Sequence, residues 1–354
     1  MLHANPAANV RVFTVGDGGE GTLDALMASA GERLCKVEVE NAAHLPVTAT
    51  YGITRSGSGR AAVIESAQAI GIADLEVSDA LPTQASSFGL GMLLSHALSQ
   101  DVDDVVVTLG GSATTDGGTG LFQALGAKLF DAEGQEISPR TNPLWTFERA
   151  DFSALPDLSG VKLKVLSDVD NPMIGAGGAA AVFGPQKGAT TQQVQHLDAQ
   201  QGKWARALED HFGAAVQEVP GAGAAGGLGG ALLALGGKIV PGLAYVAEAT
   251  GLEAAVKEAD LVITGEGSID AQSAHGKVPA GVARLAQKAG VTVVGLAGRV
   301  GHSLGEMEAL LDGIFCVHSE PVSPQDALDP DRTAAGIARV SGQLTKLVMA
   351  AETN

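Results

Sequence analysis

Sulfur, aromatic rings and positive charge are all scarce in this chain. Two cysteines, Cys35 and Cys316, among 354 residues exclude a disulfide framework and any paired-cysteine metal knuckle. Two isolated thiols suit a reducing compartment, and a cytoplasmic location is expected. Aromatic residues make up 4% of the chain. The core must therefore be built from Ala, Val, Leu and Ile, a composition that suits parallel sheets covered by helices. Lys and Arg number 22 against 40 Asp and Glu, for a net charge of −18. That balance argues against nucleic acid or an anionic membrane surface as partner and confines any phosphate site to a local cluster. No apolar run approaches the ~18 residues of a membrane span, and no charged-then-apolar leader precedes residue 10, so neither a span nor a signal peptide is expected.

Glycine, by contrast, is abundant at 48 residues, and it gathers in loops that follow β-branched runs. The central example is VVVTLGGSATTDGGTGLFQAL, Val105 to Leu125. Val105 to Thr108 predicts a strand, and Leu121, Phe122 and Leu125 predict a helix. Between them Gly110, Gly111, Ser112, Thr114, Asp116, Gly117 and Gly118 offer close backbone approach, small hydroxyls and helix-opening amides, a set suited to phosphate or carboxylate. Asp116 within such a loop calls for a metal or an accepted proton. The stretch matches neither GxxxxGK[ST] nor a placed GxGxxG. A tight strand-to-helix turn without ligand is the competing interpretation.

The same grammar recurs along the chain. Val10 to Val15 predicts a strand leading into Gly16-Asp17-Gly18-Gly19-Glu20-Gly21 and a helix with Leu23, Leu26 and Met27; Asp17 and Glu20 are either helix-capping carboxylates in a solvated turn or site residues. Period-two alternation from Leu34 to Ser66, with SGSG at 56 to 59 as a hairpin turn, predicts an antiparallel meander. A helix follows at Ser87 to Gln100, and its His96 is read as structural. Leu163 to Leu166 predicts a strand ending in Ser167-Asp168-Val169-Asp170-Asn171-Pro172, where strand-end carboxylates suit metal or hydroxyl chemistry. Lys187 sits in a further glycine-rich loop. His196 and His211 belong to a surface helix over Gln192 to Phe212, and Gly221 to Gly237 predicts a closely packed helix.

The C-terminal third alternates regularly. It predicts a helix over Val246 to Glu258, a strand over Ala259 to Thr264, a loop Gly265-Glu266-Gly267-Ser268-Ile269-Asp270, a helix after Gly276-Lys277, strands at Val291 to Leu296 and Gly313 to Val317, and a final helix over Ala334 to Met349. The expected fold is α/β in two domains: a doubly wound, flavodoxin-like parallel sheet from residues 1–36 plus 235–354, and an inserted mixed-sheet α/β domain at 37–234.

Taken together, DGGEGT at 17–22, GGSATTDGG at 110–118, DVDNPMIG at 168–175, FGPQKGAT at 183–190, GAGAAGGLGG at 221–230 and TGEGSIDAQSAHGKVPAGVA at 264–283 resemble the type 1 glycerate kinase family over nearly the whole chain. The resemblance implies ATP- and Mg²⁺-dependent phosphorylation of D-glycerate, usually at the 2-hydroxyl in bacteria, giving 2-phosphoglycerate, with 3-phosphoglycerate as the alternative product. Family members open with a further strand and helix bearing a motif like APDSFKGS, for which no counterpart precedes Val10. Either the sequence starts from a late initiation codon, or a strand-helix unit that would supply sheet pairing and polar groups is lacking. Ser273 stands where the family pattern DxQTxxGK has Thr.

Phosphoryl transfer needs phosphate neutralisation, positioning and a carboxylate to accept the hydroxyl proton. Under the implied activity Gly110, Gly111, Ser112, Thr114, Lys187, Gly265, Gly267 and Lys277 contact ATP, and Glu266 and Asp270 hold Mg²⁺. Asp168 is the base, with Asn171 and Asp116 beside it in catalytic roles, and Asp17, Glu20 and Arg299 meet glycerate. A homodimer is an open option for assembly. Two rivals stand: a relative that binds glycerate or nucleotide without turnover, and a dinucleotide-dependent oxidoreductase, the latter weakened by the missing strand-GxGxxG-helix unit.

Overall fold

The structure is a computed structural model and describes residues 6–56, 59–73, 75–274 and 277–352. The chain divides into two compact units, Thr14–Thr250 and Met1–Phe13 with Gly251–Asn354.

The larger unit opens with helix α1 (Thr22–Ala30) and the strands β1 (Gly31–Glu40), β2 (Pro46–Ser56) and β3 (Gly59–Glu65). These strands form the antiparallel meander that the alternation predicts, Cys35 facing Tyr51 and Gly52 facing Val63. Gly57 and Ser58 of the expected SGSG turn lie outside the described residues. Helix α2 (Phe88–Leu98) buries Leu90, Leu93, Leu94 and Ala97 along one stripe, as i, i+3, i+4, i+7 spacing requires. Its His96 takes a structural part, its Nδ1 lying 3.0 Å from the hydroxyl of fully buried Tyr51.

Strand β4 (Asp104–Thr108) is buried at every residue. It pairs in parallel with β3, and on its other side with β7 (Lys162–Leu166), which in turn pairs with β8 (Lys238–Val240). The six-stranded mixed sheet therefore has the order β1-β2-β3-β4-β7-β8. A small antiparallel pair, β5 (Lys128–Phe130) and β6 (Arg149–Asp151), stands apart from it. Helices α3 (Thr119–Ala124), α4 (Thr191–Phe212), α5 (Ala224–Ala234) and α6 (Gly242–Thr250) also belong to the unit, with shorter helical turns between. The few aromatics are concentrated: Trp204 of α4 is fully buried and meets Phe122 and Phe147 edge to face with centroids 5.2 Å apart.

The smaller unit holds α7 (Leu252–Lys257), β9 (Leu261–Ile269), α8 (Val278–Ala289), β10 (Thr292–Val300), β11 (Gly313–Cys316) and α9 (Pro330–Glu352). Its three strands are parallel in the order β11-β10-β9. Alternation of strand and helix thus yields the parallel sheet it predicts.

Three local expectations are corrected. Val10 to Val15 is not a strand, and Val12 is 89% exposed; β-branched composition only favours a pleated surface, and pairing decides. The single helix over Val246 to Glu258 is two, divided at Gly251 with φ 73°. The loop Gly265 to Ile269 is strand, because Gly265, Glu266, Ser268 and Ile269 register with Leu296, Ala297, Arg299 and Val300 of β10. Exposed polar residues near the open end of a parallel strand look like loop in sequence.

Gly118, at φ 78° before α3, packs so closely on α5 that a Cβ there would overlap the Ala231 methyl. Gly118→Ala should therefore cost about 1–3 kcal/mol of stability in urea unfolding. A change within the ~0.5 kcal/mol of an ordinary surface substitution would contradict this packing.

Candidate active site

In the larger unit β3, β4 and β7 run parallel and end together, in the register Glu65 beside Thr108 and Thr108 beside Leu166. Ligands of open α/β sheets bind at such carboxyl ends. The segment from Gly16 to Gly21 lies across these ends. Gly110 N–H donates to the Gly18 carbonyl at 3.1 Å, Gly18 N–H to Thr22 Oγ1 at 3.1 Å, and Gly19 N–H to Asp17 Oδ1 at 3.1 Å. A side chain at Gly110 would overlap Gly19, and one at Gly242 would overlap the Asp17 carbonyl. The two glycine loops and the start of α6 meet backbone to backbone, which no larger residue permits.

This approach gathers Asp17, Glu20, Gly110, Gly111 and Asp168. Asp168 Oδ1 accepts the N–H of Gly242, the first residue of α6, at 3.0 Å. Burial of the carboxylate nevertheless dominates, with like charge from Asp17 and Asp170 adding to it, and raises its pKa from 3.8 to about 6. The side chain still reaches solvent. Asn171, three residues on, is turned to the loop, its Nδ2 donating to the Gly177 carbonyl at 2.8 Å.

The rest of the central loop faces inward. Ser112, Thr114, Asp116 and Lys187 are 6%, 0%, 0% and 3% exposed. Asp116, expected to move protons or hold metal, accepts from Ser87 N and Oγ at 2.8 and 2.7 Å and from Gly118 and Gly120 N–H at 3.1 Å. Its carboxylate is committed to the free amides at the start of α3 and ties α3 to the entry of α2. Lys187 Nζ donates to the Thr114 carbonyl at 2.7 Å and Ser112 Oγ at 3.2 Å. Trp204 Nε1 donates to the Gly117 carbonyl at 2.8 Å. Small hydroxyls and a lysine near glycines resemble a phosphate loop in sequence, yet here Lys187 and Ser112 brace the turn from below, and the Thr114 hydroxyl is buried without a partner. Gly111 is exposed and Gly110 partly so.

The smaller unit presents its own cluster at the carboxyl ends of β9 and β10. Ser273 Oγ donates to Glu266 Oε1, and Lys277 Nζ stands 3.8 Å from Glu266 Oε2. Arg299 lies within β10, where Nε donates to Ser268 Oγ at 3.3 Å and the guanidinium is 3.9 Å from Asp270. Arg299 is thereby grouped with Gly265, Glu266, Gly267, Asp270 and Lys277. Gly267 opens on free space, a Cβ there meeting nothing within 4 Å.

Glu65 escapes a sequence reading, although a carboxylate ending the buried run Ala61 to Ile64 was its signal. It is 4% exposed and its Oε1 accepts Leu23 N–H at 2.7 Å. Burial raises its pKa, against the hydrogen bond from Leu23.

Fold and sheet-edge clusters define a two-unit α/β protein with carboxylates at one parallel-strand edge and a Lys, Arg and Ser set at another. The chain belongs to the glycerate kinase family, whose profile matches residues 1–349. It is 41% identical to the glycerate kinase of Halalkalibacterium halodurans over 95% of this chain and 90% of that protein. It is also 41% identical to the glycerate 2-kinase of Escherichia coli over 88% and 82%. A crystal structure described as a candidate glycerate kinase 2 from Salmonella typhimurium LT2 superposes with a TM-score of 0.85 at 37% identity, covering all of this chain and 92% of that one.

Burial lowers the Lys187 pKa from 10.5 to about 7, Asp116 opposing the shift. The unfolded chain then binds a proton that the folded chain has released, so stability from this group rises between about pH 7 and pH 10. Unfolding titrations of wild type and Lys187→Met should show the wild type gaining relative to the variant across that window; a pH-independent difference would contradict a neutral-leaning buried amine.

Proposed function

We propose that this chain is an ATP- and Mg²⁺-dependent D-glycerate kinase, phosphorylating the 2-hydroxyl to give 2-phosphoglycerate. The observation that carries this reading is the placement of Asp168, a solvent-reaching carboxylate just past the end of a parallel strand, held by the Gly242 N–H at the start of α6 where the Asp17 backbone packs; its pKa, raised to about 6, lies in the range where a general base works near neutral pH. Family membership and the E. coli glycerate 2-kinase relative support both the activity and the position phosphorylated.

The chain's own residues supply the parts. Asp168 accepts the hydroxyl proton of glycerate. Gly111 is exposed beside Glu20, and this edge of the loop faces the acceptor in the present reading. The half-exposed Lys277, Ser268 and the glycines 265 and 267 form a donor set that fits phosphate oxygens. Arg299 stands with that set, and in this reading it meets an anionic oxygen there, in place of the glycerate contact expected of it. Glu266 and Asp270 are hard oxygen ligands suited to Mg²⁺, which usually binds one or two carboxylates and completes its shell with phosphate and water. Among the described residues no group of three His, Cys, Asp or Glu is placed to hold an ion alone. When bound, Mg²⁺ neutralises phosphate charge.

Asp168→Asn should preserve the fold and lower kcat with D-glycerate by roughly 10²- to 10⁴-fold. In the wild type kcat/KM should fall below about pH 6 as Asp168 protonates. Near wild-type turnover by the variant, or an acid limb at the ordinary carboxylate value, would remove Asp168 from the base role.

Lys277→Ala should raise KM for ATP with little change in KM for D-glycerate. An unchanged KM for ATP would make Lys277 only the partner of Glu266.

A further inference from the structure

Helix α1 begins without a cap of its own: its N-cap residue is Gly21, and no neighbouring side chain serves the free amides of its first turn. Those amides are met from a residue far away in sequence. Glu65 closes β3 and is 4% exposed, and it accepts the N–H of Leu23 at 2.7 Å, while the Thr22 N–H reaches the Gly19 carbonyl at 3.4 Å. A carboxylate aimed at the amides of a helix start satisfies unpaired donors and the positive end of the dipole together.

The consequence reaches the site through a short chain of bonds. Thr22 Oγ1 accepts the Gly18 N–H, the Gly18 carbonyl accepts the Gly110 N–H, and the Gly110 carbonyl accepts Ser66 Oγ at 3.3 Å, which returns the path to the residue after Glu65. The segment Asp17 to Gly21 is fixed between the tethered start of α1 and the end of β4. Its Asp17 carbonyl lies against Gly242, the residue whose N–H holds Asp168.

We infer that Glu65 is a positioning residue for the reaction: by capping α1 across the sheet it holds the Asp17 to Gly21 segment down, so that Asp17 stays beside Asp168. This rests on the role proposed for Asp168. Burial and the charges of Asp17 and Asp170 act on Asp168, with the Gly242 and Leu243 amides opposing, and Asp24 of α1 faces Glu65 with like charge. Releasing the segment moves Asp17 away and admits water, and both changes lower the Asp168 midpoint.

The test compares wild type, Glu65→Ala, Glu65→Gln and Asp17→Asn by carboxyl ¹³C NMR titration of Asp168 and by amide hydrogen exchange at Gly18, Thr22 and Leu23, neither of which needs turnover. The alanine variant should lose protection at these amides by tenfold or more and titrate Asp168 below its value of about 6. Asp17→Asn should lower the titration while leaving the amides protected, and Glu65→Gln, which keeps an acceptor oxygen, should retain both signals. An unmoved Asp168 midpoint in Glu65→Ala, or full amide protection there, would overturn the inference. Failure of the kinase reading would show instead as Asp168→Asn turning over normally while these titrations still shift.

Discussion

The hydrogen bond from Gly110 N–H to the Gly18 carbonyl is the contact on which the sheet edge of the larger unit depends. It joins two segments that the chain separates widely, and it forms only because glycine on both sides lets main chain touch main chain. An unmade buried donor would cost about 1–3 kcal/mol, so each partner of this bond constrains the other. Asp168 inherits its surroundings from that arrangement: the Asp17 carbonyl beside Gly242, and the Gly242 amide on its carboxylate.

Support from below is equally specific. The turn before α3 is held by Asp116, Lys187 and Trp204, while the buried hydroxyls of Thr114 and Thr115 in the same loop have no hydrogen-bond partner. In a protein with net charge −18, carboxylates gathered at strand ends repel one another unless some are paired or raised in pKa. In the larger unit Glu65 and Asp168 are raised by burial, and in the smaller unit, taken by itself, Glu266 is paired with Lys277 and Ser273.

Much of this was legible in the residues. Period-two alternation between Leu34 and Ser66 gave the meander, the Val105 to Thr108 run gave the central buried strand, and Leu90, Leu93, Leu94 and Ala97 gave the face of α2. Ordered glycine blocks gave the family. What sequence could not supply was direction. Ser112, Thr114 and Lys187 have the chemistry of a phosphate loop, and only packing shows them turned inward. Glu65 shows in sequence only as a carboxylate ending a buried run, because its partner Leu23 is distant in the chain. Gly265 to Ile269 has loop composition but strand register, since pairing with β10 outweighs local preference. Helix α1 and strand β8, expected with the C-terminal third, belong to the larger unit because β8 pairs with β7 and α1 packs on β2 and α6.

The central claim is that a carboxylate at the end of β7 serves transfer of phosphate to glycerate. Its most direct test is ³¹P NMR of a mixture of the purified chain, Mg²⁺, ATP and D-glycerate. The account predicts ADP together with a phosphomonoester signal coupled to the single proton on C2, identifying 2-phosphoglycerate. ATP left intact in the presence of D-glycerate would contradict it.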